Sequence, residues 1–281
     1  MIPPAILFED DHLLIVDKPA GLVVHPTYKN PSGTLLDALP PGTRIVTRLD
    51  KFTSGIVVVA TSPAMHARLQ RTLSSPESDK IYLAIVRGIT AERGTIDVPL
   101  ASDPTDRRRR IVSTDGARSV TEYERLATAA SPAGDEVSLL RCRLVTGRRH
   151  QIRVHLAAHG WPIVGDGVYG QRLEGFDRLA LHASRVRFAH PLTGARVDIT
   201  SPAAGFTYLS DAFRPFLGLK TAISDWRESG SDPDVDDQAP APHRDRSAHH
   251  PHELRRAYSA FAAPRIGKSA SADVKLSKNR S

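Results

Sequence analysis

The stretch "TRLDKFTSGIVVVA", residues 47–60, joins a polar turn to an apolar run. Ile56 to Val59 are four consecutive β-branched residues, which is typical of a strand buried on both faces. The Thr-Ser-Gly that precedes the run is typical of a turn. Asp50 therefore lies where a loop enters the sheet, and in an extended segment Arg48, two residues earlier, points to the same face. A surface turn and a catalytic carboxylate both fit this pattern.

Further strands and two helices are predicted on either side of this stretch. "IYLAIV", residues 81–86, alternates with the period of a strand. Ser62 is a suitable N-cap for a helix that begins with Pro63, and "RRHQIRVHLAAHG", residues 148–160, predicts a second helix that ends at its glycine. The other predicted strands are AILFE (5–9), LLIVDKP (13–19), EVSLLRCRLV (136–145), VRFAHP (186–191) and ARVDITSP (195–202). Many strands and few helices, without regular alternation, predict an α+β fold with a mainly antiparallel sheet.

Composition favours a protein with an anionic partner. The chain of 281 residues has a formal net charge of +7, most of it in residues 1–224, and nucleic acid is the first partner to consider. A soluble surface without a specific partner is the alternative. We predict one folded domain over residues 1–219 and a disordered tail over residues 220–281, which is rich in Ser, Asp, Pro and His.

The remaining compositional features predict a cytoplasmic protein. Cys142 is the only cysteine, so no internal disulfide is possible, and this fits a reducing compartment. We read no signal peptide in the first residues. No apolar stretch reaches the roughly 20 residues that a membrane helix needs. A monomer is the default expectation for the oligomeric state.

A basic run offers a candidate RNA contact. The run consists of Arg107, Arg108, Arg109 and Arg110. Strand-like pieces at residues 109–114 and 118–126 flank a turn-rich stretch and predict a hairpin. Arginines on such a hairpin are suited to phosphate contacts, and a solvated surface loop is the alternative.

The segment "TGRRHQIRVHLAAHGWPIVGDGVYG", residues 146–170, concentrates basic and histidine side chains. On the predicted helix, Arg149 and Arg153 are four residues apart, and His150 lies three before Arg153. His155 and His159 have metal-pair spacing, but the H-E-x-x-H pattern is absent. A metal-dependent hydrolase that uses these two histidines and His150 is one hypothesis, and packing or RNA-facing histidines are its alternative.

Five motifs taken in order resemble the RluA family of RNA pseudouridine synthases. They are LFEDDHLLIVDKPAGLVVHP (7–26), RLDKFTSGIVVVA (48–60), DKIYLAIVRG (79–88), the segment 146–170 just quoted, and LALHASRVRFAHPLTG (179–194). The resemblance implies the pseudouridine synthase fold with a central RNA-binding cleft. It also implies isomerisation of uridine to pseudouridine in ribosomal or transfer RNA, without a cofactor or metal. A non-catalytic RNA-binding protein on the same scaffold is the alternative.

The resemblance also implies residue roles. Asp50 corresponds to the catalytic carboxylate, Tyr82 to the aromatic residue that packs against the target base, and Arg153 to the basic partner of Asp50. Arg48 corresponds to the residue that fills the space of the flipped-out nucleotide. Thr47 stands where the family usually has histidine, so we expect an altered grip on RNA with the chemistry retained.

The remaining expected RNA contacts lie outside the Asp50 motif. The Arg107–Arg110 region corresponds to a loop that grips the RNA stem, and Arg148 and His150 are also predicted to contact RNA. Many relatives carry a small RNA-binding module before the core. Since this sequence begins at the core, we expect recognition to depend on the core and its hairpin, and the tail is a further candidate contact.

Overall fold

A computed structural model describes residues 4–131, 134–170 and 178–202 of the chain. The predicted tail over residues 220–281 and the domain boundary at residue 219 lie outside the described residues and stay predictions. Among the described residues, neither helix has the length and apolar character to cross a bilayer.

The described residues form twelve strands and two α-helices. The helices are α1 (Pro63–Ser74) and α2 (Gln151–Ala158). The strands are β1 (Ala5–Glu9), β2 (Leu13–Lys18), β3 (Arg44–Ile45), β4 (Ser54–Ala60), β5 (Asp79–Arg87), β6 (Arg93–Asp97), β7 (Leu100–Ser102), β8 (Arg110–Val112), β9 (Val120–Ala130), β10 (Glu136–Leu144), β11 (Leu181–Ala189) and β12 (Arg196–Thr200).

Ten of these strands form one mixed sheet. Its main order is β1-β2-β4-β11-β5-β10-β9-β6, with β3 paired to β4 and β12 paired to β11. β4 and β11 run parallel, and the other pairings are antiparallel. The predicted α+β class with a mainly antiparallel sheet is confirmed.

Strand β4 is buried along its whole length, as the β-branched run predicts. Ile56 and Val58 face one apolar cluster, while Val57 and Val59 face another on the opposite side. The alternation follows from the two-residue period of a strand. β4 is therefore a central element with a core on each face.

Helix α1 confirms the predicted cap and start. Ser62 Oγ accepts a hydrogen bond from Met65 N at 3.2 Å, and Pro63 occupies the first helical position. Met65, Leu69 and Leu73 are buried in the same cluster as Ile56 and Val58. This apolar stripe fixes α1 against the sheet.

Helix α2 is shorter than its sequence predicts. It begins at Gln151, so Arg149 and His150 precede it, and the expectation that they share a helical face with Arg153 is wrong. His150 has φ of 57°, in the left-handed region, and this turns the chain sharply before the first helical residue. The predicted stop at Gly160, with φ of 81°, is confirmed.

The predicted hairpin partner of the basic run is also wrong. β8 pairs with β7, not with β9; the turn between β7 and β8 carries Arg107 to Arg109, and Arg110 is the first residue of β8. β9 instead pairs with β10 on one edge and with β6 on the other, which leaves β8 no free edge there. The sequence of β6, RGTID, has too few apolar residues to predict a strand. The β7–β8 hairpin nevertheless presents the arginine run at its tip.

The sheet register brings two distant motifs together. Gly55 at the start of β4 pairs with Ala183, and Ala183 pairs on its other side with Tyr82 of β5. A Cβ on Gly55 would lie 2.2 Å from Ala183 O, and its φ is 107°, so glycine is required for this close approach. One strand, β11, thus separates Tyr82 from the start of β4, which follows the turn that carries Asp50.

Candidate active site

An ion pair between Asp50 and Arg153 forms the centre of the site. Arg153 Nη1 donates to Asp50 Oδ2 at 2.6 Å, although the residues are 103 apart in sequence. Asp50 lies in the turn before β4, where Thr53 N donates to Asp50 O at 3.1 Å. The side chain of Asp50 is 25% exposed and that of Arg153 is 8% exposed. The carboxylate therefore faces solvent, while its cationic partner lies behind it.

Asp166 holds the guanidinium of Arg153 from the opposite side. Arg153 Nε and Nη2 donate to its two oxygens at 2.7 and 2.8 Å. Asp166 Oδ1 also accepts from the backbone N–H groups of Val168 and Tyr169, at 2.9 and 3.1 Å. A bidentate pair of this kind fixes both position and orientation. Sequence reasoning did not single out Asp166, although a carboxylate between two glycines in segment 146–170 was an available signal.

The protonation states of this pair follow from its contacts. Burial by itself raises the pKa of Asp166, but the hydrogen bonds and charge of Arg153 outweigh burial and hold that pKa below its usual value. Burial likewise disfavours the cation of Arg153, but Asp166 and Asp50 together raise the Arg153 pKa above its ordinary value. The guanidinium is therefore a fixed positive charge beside Asp50.

Tyr82 and Asp50 are close enough to interact electrostatically. Burial raises the pKa of the Tyr82 hydroxyl, and the negative charge of Asp50 raises it further. Tyr82 lines the same cleft as Asp50 and packs against both central apolar clusters. The phenol is thus neutral at physiological pH, and Tyr82 and Asp50 line the same cleft.

His150 is turned toward the site. Its side chain is 9% exposed, its Nε2 lies 3.6 Å from Asp50 Oδ1, and its Nδ1 lies 2.7 Å from the Tyr169 hydroxyl. Burial, the largest cause, lowers the pKa of His150 to about 4 despite the nearby carboxylate of Asp50. The imidazole is therefore neutral at pH 7. Its predicted RNA contact stays a prediction.

Lys18 anchors the loop that carries Asp50, a role that sequence reasoning did not assign. Its fully buried Nζ donates to the carbonyls of Pro19, Leu22 and Lys51 at 2.8, 2.9 and 3.2 Å. Lys51 directly follows Asp50, so the ammonium ties the Lys-Pro-Ala-Gly turn to the carboxylate loop. Burial lowers the pKa of Lys18 to about 8, and the charge of Asp50 opposes that shift.

These residues open onto a cleft with a volume of about 1170 Å³. Thr47, Arg48 and Arg148 line it together with the central pair. Arg48 is exposed, whereas Thr47 Oγ1 accepts a hydrogen bond from Val58 N at 2.9 Å. Thr47 thus stabilises the backbone at the cleft wall, and its predicted RNA contact stays a prediction.

The arginine run lies on the β7–β8 hairpin and does not belong to the cleft lining. Arg107 and Arg108 are exposed, and Arg108 forms an ion pair with Asp106 at 2.7 Å. The Arg109 and Arg110 side chains are half-buried, and Arg110 donates to Ser102. The structure therefore places Arg48 and Arg148 in the same cleft as the Asp50–Arg153 ion pair. It places the arginine run on the β7–β8 hairpin, outside the cleft lining.

The histidines of the hydrolase hypothesis do not converge. His155 is buried, with Nδ1 3.0 Å from Thr121 Oγ1 and Nε2 3.1 Å from Val98 O. His150 faces Asp50, and His159 Nδ1 lies 2.9 Å from His155 O. Within residues 4–131, 134–170 and 178–202, no three metal-ligating side chains come together. The geometry supports packing for His155.

The chain is similar to proteins of one family. Residues 12–158 match the family of RNA pseudouridylate synthases. The chain is 42% identical over 225 residues to ribosomal large subunit pseudouridine synthase D of Xanthomonas campestris pv. campestris. The aligned region covers 72% of this chain and 66% of that protein. The namesake from Zymomonas mobilis subsp. mobilis is 40% identical over 223 residues, covering 70% of this chain and 68% of that protein.

The chain belongs to the RNA pseudouridylate synthase family. It spans about two thirds of the length of these curated relatives. The solved structure of human RNA pseudouridylate synthase domain containing 1 is 30% identical, with a TM-score of 0.62, and covers 74% of this chain and 86% of the human one. The family predicted from the motifs is confirmed, and nothing in the comparisons supports the non-catalytic alternative.

Proposed function

We propose that this protein isomerises specific uridines in RNA to pseudouridine, with Asp50 as the catalytic carboxylate. One observation carries the proposal most directly. The Asp50 carboxylate faces an open cleft, while Arg153 holds one of its oxygens from behind at 2.6 Å. The ion pair with Arg153 keeps the Asp50 carboxylate oriented into the cleft, where a substrate can reach it.

The reaction requires an ionised carboxylate at the sugar. The glycosidic bond breaks, the uracil turns, and the base rejoins the ribose through carbon 5. The anomeric carbon becomes electron-poor as the first bond breaks. Asp50 on that face can attack the carbon, stabilise it, or remove a ribose proton, and each role needs the anion. Arg153 favours the anion because an adjacent opposite charge stabilises it.

Tyr82 supplies a face for the target base. A uridine in a folded RNA must leave its stack, which costs a few kcal/mol, and stacking in the pocket offsets this cost. The ring of Tyr82 lines the cleft beside Asp50. We assign it to contact with the flipped uracil.

The size of the cleft suits RNA better than a free nucleoside. Its volume of about 1170 Å³ exceeds the ~300–1,000 Å³ that is usual for small-molecule pockets. Arg48 and Arg148 lie in its wall, where phosphates of the bound strand would pass. We propose that Thr47 and His150 contact the same strand, and that Arg107–Arg110 grip the neighbouring stem.

Ribosomal RNA of the large subunit is the first substrate class to test. The relatives from Xanthomonas and Zymomonas are named for the ribosomal large subunit. Transfer RNA is the second class. We further propose a cytoplasmic location, since the free Cys142 is buried and fits a reducing compartment, and a monomer as the default oligomeric state.

The experiment is tritium release from RNA labelled at uracil carbon 5. Asp50→Asn should abolish release while RNA affinity changes little, because the substitution is isosteric and Arg153 keeps Asp166 as partner. Asp11→Asn, the same change at an exposed position, is the matched control and should leave release unchanged. Release that persists in Asp50→Asn rejects Asp50 as the catalytic group, and no release by the unmodified protein rejects the activity.

A further inference from the structure

The Tyr169 hydroxyl connects the β7–β8 hairpin to the centre of the site. It accepts a hydrogen bond from Arg110 N, the first residue of β8, at 2.7 Å. The same oxygen lies 2.7 Å from His150 Nδ1. His150 in turn places its Nε2 3.6 Å from Asp50 Oδ1. Three contacts therefore lead from the hairpin backbone to the carboxylate.

The ring of Tyr169 makes a second connection between the same two places. The Arg153 guanidinium carbon lies 5.1 Å from the ring centroid, and that of Arg109 lies 5.5 Å away. Both distances are within the range of a cation–π contact. Arg153 belongs to the ion pair with Asp50, and Arg109 belongs to the arginine run. One phenol thus contacts the hairpin and the site through both its ring and its hydroxyl.

His150 occupies a backbone conformation that its surroundings must maintain. A φ of 57° is uncommon for a residue with a side chain, and such positions persist where neighbouring contacts hold them. Tyr169 provides one of these contacts. Arg149 provides another, since its Nε lies 3.4 Å from His150 Nε2 and its Nη2 donates to Arg108 O at 3.3 Å. Tyr169 and Arg149, which contact the His150 ring, are thus both hydrogen-bonded to the hairpin.

We propose that Tyr169 is a positioning residue that couples RNA engagement by the β7–β8 hairpin to the placement of His150 and Asp50. Phosphates bound by the exposed arginines immobilise the hairpin. Arg110 N then holds the Tyr169 hydroxyl, which holds the His150 ring beside the carboxylate. This coupling rests on the proposed pseudouridine synthase activity and assigns Tyr169 no contact with the reacting atoms.

Tyr169→Phe tests the hydroxyl while the ring stays between the two guanidinium groups. The measurement is the single-turnover rate constant for tritium release at saturating RNA, together with the RNA dissociation constant. We expect the rate constant to fall about tenfold, as for loss of one well-placed hydrogen bond, while the dissociation constant stays within about twofold. Tyr123→Phe is the matched control, because Tyr123 packs edge-on against Trp161 and is absent from the cleft lining.

A double-variant cycle with Arg107→Ala tests the coupling itself. Arg107 is exposed on the hairpin, outside the cleft lining. If Tyr169 transmits the effect of the hairpin, the two substitutions combined reduce the rate constant by less than the product of their separate reductions. His150→Asn breaks the same connection from the other side, and asparagine tolerates the left-handed backbone, so it replaces Tyr169→Phe if that variant does not fold.

The outcomes separate this inference from the activity on which it rests. An inactive unmodified protein overturns the activity. An active protein whose Tyr169→Phe rate constant is unchanged overturns the positioning role alone. Reductions that multiply independently overturn the coupling to the hairpin, and an equal loss in affinity and rate points to RNA binding by Tyr169 and also rejects the proposal.

Discussion

Arg153→Met removes the cation that Asp50 and Asp166 share. Methionine has a similar length and fills much of the same space, so the change is mainly electrostatic. Asp166 has a fully buried side chain and loses two hydrogen bonds, of 2.7 and 2.8 Å. The backbone N–H groups of Val168 and Tyr169 still reach one of its oxygens, but its charge is left without a counter-ion.

The expected loss of folding free energy is about 3–5 kcal/mol, which is typical when one partner of a buried pair is removed. At ~2–4 °C per kcal/mol for a domain of this size, Tm falls by roughly 6–20 °C. Asp50→Asn removes the partner that is 25% exposed and should cost only about 1 kcal/mol. Urea and thermal unfolding of the two variants measure both values.

The double variant Arg153→Met with Asp166→Asn isolates the unpaired charge. Because it removes the buried carboxylate as well, it should recover most of the stability lost by Arg153→Met. A loss below about 1 kcal/mol in Arg153→Met, or no recovery in the double variant, would refute the reasoning. Loss of tritium release in Arg153→Met counts as catalytic only at temperatures where the variant is folded.

The pH dependence of the stability difference between the unmodified protein and Arg153→Met provides an independent test. In the unmodified protein the Asp166 pKa lies below its usual value, so the ion pair stabilises the fold above the unfolded pKa and is lost as pH falls through the folded pKa. In Arg153→Met, only the two backbone N–H groups oppose the effect of burial on Asp166, so its pKa rises and the penalty is largest at neutral pH. The stability difference between the two proteins should therefore narrow on acidification from pH 7 towards pH 4.

Three further predictions concern single positions. Thr47→Val should destabilise the fold by about 1–3 kcal/mol because it leaves Val58 N without its acceptor, whereas Thr47→Ser keeps the hydroxyl and should stay close to the original stability in urea unfolding. Gly55→Ala should lower Tm and tritium release together, since its Cβ would lie 2.2 Å from Ala183 O; unchanged Tm would contradict this close approach. Cys142 should react with a thiol reagent only on unfolding, because burial raises its pKa to about 12, and rapid labelling of the folded protein would show that the thiol is accessible.

The local sequence pattern correctly predicted those helices and strands whose intrinsic preference agrees with the tertiary structure around them. The β-branched run of β4, the alternation of β5 and the Ser-Pro start of α1 each specify one conformation, and all three are found. The left-handed backbone of His150 was not predicted, since contacts with distant residues maintain it. The pairing of β8 with β7 was missed for a similar reason, because strand partners depend on which edges the rest of the sheet leaves open.

The sequence by itself determined the family and the strand-rich class, and it predicted Asp50, Tyr82 and Arg153 as site residues, because these depend on residue types in a fixed order. Only the tertiary structure decided which groups surround them. The pairing of β11 with both β4 and β5 places Tyr82 in register with Gly55 at the end of the Asp50 turn, and the glycine-bounded Asp166 reaches the guanidinium of Arg153. Such contacts join segments far apart in the chain, and their geometry is set by the register and packing of the whole sheet.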